Sequence, residues 1–392
     1  MQELLEPMSP LPPLHERAPP DAAASSVAPP EALRFTFTGS GKEYFRIWIV
    51  NLFLTVATLG IYSAWAKVRR LQYFDRNTQL AGAVFDFRGD PKAILRGRLL
   101  AVVMLVAYHY AFGFSMTFGV VVVSLLLLAL PFLLRGALRF RLHNTWYRGL
   151  HFDFTGTTGG AYRAYLPPAL TVLLPSALLA VDQSGRSTAI ASLLYLGFPL
   201  MYGVMKGYQH RHLQFGSAAS SYMVKARRFY KPYLVAGLFM FGIMAVAVML
   251  TFGVMAALPK HDGDATPLWV SFLPLVFSVV LAYFAYLLMG PYTQARLGNL
   301  AWSNTAFPGL QIRSTMSARA FARLQTANVL LTLLTLGLYR PFAVVKVYRF
   351  RLANLNLHAA AGLEQVVAAV GPQRRGASGD GVADFFDLDL SW

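Results

Sequence analysis

Few side chains in this sequence stand where apolar surroundings would turn them to chemistry. His210 and His212, in YQHRHLQFG, are two residues apart, a spacing that on a strand puts both imidazoles on one face and would let them join a metal site. The chain has no cysteine and no carboxylate beside this pair, so no metal is assigned to it. His109, in AYHYAFG, is the clearest ionisable group inside an apolar run, where such groups point to proton relays or ligands. Its solitary position fits a histidine satisfied within a helix bundle better than a relay. Asn51 and Asn328 lie in equally apolar stretches, and an amide there suits hydrogen bonding between helices, or to broken backbone, more than substrate binding.

Motifs for covalent or phosphate chemistry are missing. GSGKEY falls short of the spacing of a phosphate-cradling loop, and the sequence has neither an HExxH helix nor a Gly-x-Ser-x-Gly elbow. It predicts no enzyme, no catalytic residue, no metal and no cofactor. The formal charge of +17 invites a nucleic-acid reading, but Lys and Arg cluster beside apolar segments, as topology signals do, and no nucleic-acid-binding motif accompanies them.

The elements that must position these residues are membrane helices. Hydrophobic residues make up 56% of the 392, charged ones 14%, and mean hydropathy is +0.46, well above an ordinary soluble domain. Apolar runs fall near residues 47–66, 99–115, 117–134, 165–181, 188–205, 233–257, 268–289 and 327–345, and several reach the roughly 18 residues that a hydrocarbon core requires. The expected fold is an all-α polytopic membrane protein of six to eight apolar helices. Residues 1–33, Pro-rich and polar, read as a disordered N-terminal segment without the features of a signal peptide; 34–357 form the membrane domain, and 358–392 a flexible tail.

Two segments break the pattern. TLGIYSAWAKVRRLQYF, from Thr58, returns as TLGLYRPFAVVKVYRF, from Thr335, so that Thr58, Gly60 and Tyr62 match Thr335, Gly337 and Tyr339, with Asn51 matching Asn328. A helix broken at Gly60 leaves arms of roughly 15 residues, about 22 Å each, too short to span comfortably. Basic residues flank the last segment on both sides, with Arg319 and Arg323 before it and Arg340, Lys346 and Arg349 after. The first and last apolar segments are therefore read as re-entrant or interfacial hairpins, leaving six crossings; read as plain spans, they make eight. The Thr hydroxyls can cap the freed backbone, and the eight residues named here would line a cavity.

A second element recurs in the basic loops: NTQLAGAVFDFRGD from Asn77, NTWYRGLHFDFTG from Asn144 and, more weakly, NTAFPGLQIRS from Asn304. The period-two aromatics predict short strands carrying Phe35 and Phe37, Phe85 and Phe87, and Phe152 and Phe154, which must pair into a small cytoplasmic sheet assembled from distant loops.

The stretch EYFRIWIVNLFLTVATLGIYSAWAKVRRLQYFDRNTQLAGAVFDFRGDP resembles the YjgN family of bacterial inner-membrane proteins, built on a domain of unknown function, and the similarity runs from about Arg34 to Leu357. The resemblance implies a multi-pass inner-membrane protein and carries over no catalytic residue or ligand. The C-terminal copy departs from the core, with Pro341, Phe342 and Val344 in place of Ala64, Trp65 and Lys67. The charge rule puts the basic loops and both termini in the cytoplasm.

Two functions follow as expectations. Gly-broken segments at opposite ends of the chain suggest a transporter or channel for a small solute. Dense cations along the inner leaflet, Lys67, Arg69, Arg70 and Arg76 above all, suggest instead a scaffold or lipid-binding module that holds anionic headgroups. The tail GVADFFDLDLSW, acidic and aromatic, could dock on a protein partner, although plain disorder explains it as well.

Overall fold

The computed structural model of the chain describes residues 31–182, 184–257, 268–360 and 362–371. Residues 1–30, the loop at 259–267 and the acidic-aromatic tail lie outside it.

Strands and helices alternate along the chain. β1 (Glu31–Phe37) leads into α1 (Gly41–Ala57) and α2 (Ser63–Arg76), which return to β2 (Thr78–Leu80). β3 (Ala83–Phe87) leads through α3 (Pro91–Phe114) and α4 (Met116–His143) to β4 (Thr145–Tyr147). From β5 (Leu150–Phe154) the chain passes through α5 (Thr158–Val181), α6 (Gly185–Leu196) and α7 (Phe198–Arg211) to β6 (Leu213–Phe215). β7 (Ala218–Ala219) and β8 (Ser221–Tyr222) precede a 3-10 turn at Ala226–Phe229, α8 (Tyr230–Ala257), α9 (Leu268–Trp302) and β9 (Thr305–Phe307). Last come β10 (Leu310–Ser314), α10 (Ala318–Leu334), α11 (Arg340–Ala353), β11 (Leu355–Ala359) and α12 (Leu363–Ala369).

The sheet corrects the expectation of an all-α protein. Its order is β7-β6-β5-β4-β3-β2-β1-β11-β10-β9-β8, with antiparallel pairing throughout. The two ends of that order, β7 and β8, are separated only by Ser220, so the sheet closes on itself through one residue and leaves no long free edge. Phe35, Phe85 and Phe152 pack on the same core as Leu33, Leu80, Tyr147, Leu150, Phe215, Leu310, Ile312, Leu355 and Leu357. Neighbouring rings meet around it, Phe35 stacked on Phe85 at 6.2 Å, Phe85 on Phe152 at 6.3 Å, and Phe152 tilted against Phe215 at 4.8 Å.

The Asn-Thr pairs that recur in the sequence are helix stops. Asn77, Asn144, Asn304 and Asn354 each donate from Nδ2 to the carbonyl four residues back, at 2.7–2.9 Å. Thr78, Thr145 and Thr305 do the same with their hydroxyls, so one dipeptide supplies two side-chain bonds to carbonyls of the last turn before the strand begins.

Each helix group starts and ends at adjacent strands. Thr38 N–H donates to Asn77 O at 3.0 Å, Arg88 N–H to Asn144 O at 2.9 Å, Thr155 N–H to His212 O at 2.9 Å and Thr315 N–H to Asn354 O at 2.9 Å, while Tyr222 pairs with Thr305. All these connections thus leave from and return to one side of the sheet. Among the described residues, six helical stretches are long and apolar enough to cross a membrane: Pro91–Phe114, Met116–His143, Thr158–Val181, Gly185–Arg211, Ala226–Gly253 and Val276–Trp302. Ser115 alone, extended at φ −167°, turns α3 into α4, and its hydroxyl caps Phe118 N–H.

The remaining two apolar segments form α1–α2 and α10–α11, whose helices of 17 and 14 residues reach only about 25 and 21 Å. Their tips are apolar and bare: Leu59 is 94% and Leu336 95% exposed. Each is a pair of short helices with an apolar tip, tied at its base to one strand pair. The hairpins are neighbours, with Phe45 stacked on Phe342 at 5.5 Å and Arg349 donating to Gly39 O at 2.8 Å, so the first and last helix pairs close the ring.

Two boundaries move. Glu31, Ala32 and Leu33, read as part of the disordered N-terminal segment, pair with Ala359, His358 and Leu357. The tail read as flexible from 358 begins with the end of β11 and continues into α12, whose Leu363 and Val366 join the sheet core together with Val370 just beyond it. Val366 approaches Gly309, Val370 approaches Gly216, and Glu364 lies 3.8 Å from Arg148, so α12 contacts three of the tight turns and covers that end of the sheet. Composition alone hides this helix, because LEQVVAA is too short to register as an apolar run.

Candidate functional site

At its other end the closed sheet meets the helices, and the last helical turns before the strands deliver polar side chains to a common space. A cavity of about 240 Å³ is lined by Asp75, Thr78, Arg141, Gln209, His210 and Trp302 among others, with Phe35, Phe85 and Phe152 at its sheet side. A second, of about 210 Å³, lies between α7, α8, α9 and α10 and is lined by Tyr202, Lys206, His210, Trp302 and Arg351. The two share His210 and Trp302, whose rings meet edge to face at 4.8 Å.

Most of these groups are held by hydrogen bonds across the ring. Thr78 Oγ1 meets Tyr348 OH at 3.0 Å, Gln209 Nε2 donates to Tyr165 OH at 3.2 Å, and His210 Nδ1 meets Thr305 Oγ1 at 3.0 Å. Arg351 donates to Gln294 Oε1 at 3.2 Å. The Lys206 ammonium sits 5.7 Å from the Tyr202 ring centre, and its residue is 8% exposed. Asp75 is the carboxylate of the larger cavity: burial pushes its acid up to about 6, and Arg141 works against that shift. Three cations and one carboxylate thus face two adjoining cavities, a surplus of positive charge in a poorly solvated place.

The residues singled out from the sequence are placed as follows. Thr58, Gly60 and Tyr62, with Thr335, Gly337 and Tyr339, build the tips of the two short hairpins. Leu59 and Leu336 are left-handed at φ 50° and 49°, and Gly60 and Gly337 at φ 92° and 93°. Gly60 N–H donates to Thr55 O at 2.7 Å and Leu59 N–H to Val56 O at 3.1 Å, the paired bonds of a Schellman ending, and the second tip repeats them. Thr58 Oγ1 donates to Leu54 O and accepts from Tyr62 N–H at 2.9 Å, capping the next helix; Thr335 does the same for Tyr339. A Cβ at either glycine would meet nothing within 4 Å, and neither glycine is among the residues lining the two shared cavities.

Asn51 and Asn328 are buried, only 7% and 4% exposed. Asn328 Nδ2 reaches toward Ala343 O at 3.5 Å, an interhelical contact, while Asn51 Oδ1 is buried without a hydrogen-bond partner. His109 is exposed on α3 with its ring against Tyr110. His210 and His212 sit at the end of α7 rather than on a strand, and residues two apart on a helix point in opposite directions. His210 accordingly faces Thr305, and His212 Nδ1 meets Tyr208 O at 2.8 Å.

Of the four candidate lipid contacts, Arg76 is tied to Asp86 at 2.8 Å and Arg69 lies over the Tyr62 ring at 5.6 Å. Lys67 and Arg70 lie partly buried on α2. Burial would raise the Asp86 acid, but hydrogen bonds from Arg76 and Arg88 outweigh it and hold it below the usual carboxylate range. An open groove of about 510 Å³ between α1 and α2 is lined by Arg46, Arg69, Arg76, Gln72 and Asn77.

Sequence reasoning missed Asp75, Arg141, Lys206, Gln209 and Arg351. Four of the five fall within the last turns before a strand, at Asn77, Asn144, His212 and Asn354, so laying the helix ends over one another would have flagged them.

Membrane helices hung from a closed antiparallel sheet, with polar cavities where the two meet, define a polytopic membrane protein. A family model described as "Bacterial protein of unknown function (DUF898)" matches residues 32–385, and the chain belongs to that family. It is similar to "Inner membrane protein YjgN" of Salmonella typhimurium (strain LT2), 27% identical over 335 residues, which cover 78% of this chain and 83% of the relative. The Escherichia coli O157:H7 protein of the same name is 24% identical over 357 residues, covering 82% and 88%. That of Escherichia coli K12 is 32% identical over 133 residues, covering 32% of each chain. No solved structure matches.

Proposed function

We propose that the protein is an inner-membrane transport protein for a small anionic solute, with its binding site in the adjoining cavities at the junction of helices and sheet. The observation that carries this reading is the excess of cations lining these cavities, Arg141, Lys206 and Arg351 against Asp75, with Lys206 buried. A buried ammonium such as that of Lys206 is costly unless it serves a solute or proton, and a bound anion would offset the excess positive charge around it. The helix pairs between successive strands are read as copies of one β-α-α-β unit, consistent with transporters that bind at the interface of repeats. The sheet, the basic loops and both termini are taken to be cytoplasmic, because Lys and Arg concentrate on that side.

The test is uptake of radiolabelled phosphate and small carboxylates into proteoliposomes, with Arg141→Gln and Lys206→Gln as controls. A saturable flux that falls roughly tenfold or more in both variants is expected, the effect of losing one charge-assisted contact. Equal leak through wild type and variants for every anion tried would end the transport reading.

A second reading has its own observation. The groove between α1 and α2 brings Arg46, Arg69 and Arg76 together beside the short hairpin, a site suited to an anionic headgroup. It makes the protein a lipid-organising scaffold, and the acidic-aromatic tail would then be its contact for a protein partner. Unchanged lipid co-purification after Arg46→Gln and Arg69→Gln would remove the first half of this reading, and unchanged partners after deletion of residues 380–392 the second.

A further inference from the structure

Away from the axial cavities, the end of α4 and the strand β5 bring together three side chains of ligand type. The donor atoms of His143, His151 and Asp153 all lie within 4.8 Å of one another. Their meeting follows from the local fold. His143 is the last residue of α4, one helix stop before β4, and β4 pairs with β5 so that Trp146 stands opposite His151. Alternation along β5 sends Phe152 and Phe154 to one face and His151 and Asp153 to the other. The rings of His143 and His151 meet edge to face at 4.9 Å, and all three residues are half-buried.

The corresponding place one helix pair earlier shows what is unusual. There Asp86 on β3, in the same FDF sequence, is neutralised by Arg76 at 2.8 Å, from the end of α2, and by Arg88 at 3.0 Å. Around Asp153 the place of Arg76 is taken by His143, that of Arg88 by Thr155 and that of Val84 by His151. Both permanent cations, which repel a metal, are gone, one replaced by an imidazole and the other by a hydroxyl, and a second imidazole stands where an apolar residue did; imidazoles offer a metal a lone pair.

Two further features fit. Phe154 N–H donates to Asp153 Oδ1 at 2.7 Å, fixing the carboxylate and leaving its second oxygen available. Gln214 stands directly across from Asp153 on β6; it is 5% exposed, and its Oε1 has no hydrogen-bond partner, a buried oxygen donor left over on the same face.

We propose that His143, His151 and Asp153 bind a divalent transition-metal ion of the zinc class, with Gln214 Oε1 or water completing the shell. A tetrahedral site with bonds of about 2.0 Å needs donors roughly 3.3 Å apart, so side-chain rotation of partly buried residues closes the remaining gap. Two nitrogens and a carboxylate oxygen form the donor set that catalytic and regulatory zinc sites use, with one position open. The site lies where a membrane helix joins the sheet, so an ion bound there would pin α4 to β5 and stiffen the wall of the larger cavity through Arg141, two residues before His143.

The test uses the purified full-length protein in detergent, without a histidine tag and stripped of metal by chelator, titrated with Co²⁺ and followed by visible absorption. The expected result is one equivalent of Co²⁺ giving the bands of a four- or five-coordinate site, displaced by Zn²⁺. His143→Gln, His151→Gln and Asp153→Asn should each weaken binding at least about tenfold, the lower end of what even an outer partner of a metal ligand contributes. His109→Gln and His358→Gln, far along the chain, should leave it unchanged. Apo melting temperatures show whether each variant folds; should His151→Gln fail, His143→Gln reads the same site from the helix. No saturable equivalent in wild type, or one that survives in the His143→Gln and Asp153→Asn proteins, overturns the proposal.

Discussion

Asp75 shows how far a single residue is set by its surroundings. Its carboxyl acid is pushed up to about 6 from 3.8, so the folded chain holds the proton more tightly than the unfolded one. The stabilising contribution is therefore fully present below about pH 4 and is lost as pH rises through about 6. Relative to Asp75→Asn, the wild-type protein should lose stability between pH 4 and pH 7, by up to about 3 kcal/mol at roughly 1.4 kcal/mol per pKa unit. Thermal unfolding of both proteins across that range measures it; parallel curves would mean that Asp75 titrates as an exposed acid. At the hairpin tip, Gly60→Ala places a Cβ at φ 92° in open space, so its cost is purely a matter of backbone. A loss of about 1–2 kcal/mol is expected in chemical denaturation, with the same for Gly337→Ala.

Among the elements, α12 makes the clearest prediction. Leu363 is 4% exposed in the core of the sheet, and Leu363→Ala should cost about 2–5 kcal/mol. The Asn-Thr helix stops belong to the same scale. Asn144→Ala removes one bond to Phe140 O, and about 0.5–1.5 kcal/mol should disappear with it, read as a lower melting temperature. Both elements were unequally visible beforehand. The Asn-Thr stretches stood out as repeats beside a period-two aromatic pattern, though as strands and not as helix stops; α12 did not, because seven residues with two buried contacts leave no periodic signature.

For the molecule as a whole, the decisive property is that both ends of every helix group meet the sheet. Single cysteines introduced at Lys42, Arg76, Thr326 and Asn356 should all react with an impermeant reagent from one side of the membrane, and one at Ser184 from the other. Labelling of Lys42 and Arg76 positions from opposite sides would break the pairing of Thr38 with Asn77 on which the short hairpins rest.

Hydropathy, charge placement and the repeated Thr-Leu-Gly-aliphatic-Tyr motif determined that this is a membrane protein of six to eight apolar segments and marked the two whose pattern is interrupted. Those properties are local: a run of apolar residues needs lipid wherever it lies, and a left-handed glycine turn is written in a few neighbouring residues. The closure of the sheet, the packing of α12 and the company of Asp75, Arg141 and His210 were decided only by the tertiary structure. Residues from helix ends far apart in sequence meet there because unpaired strand amides must find partners. Once each loop contributes a strand, the ring that satisfies all of them also decides which side chains share the space at its mouth.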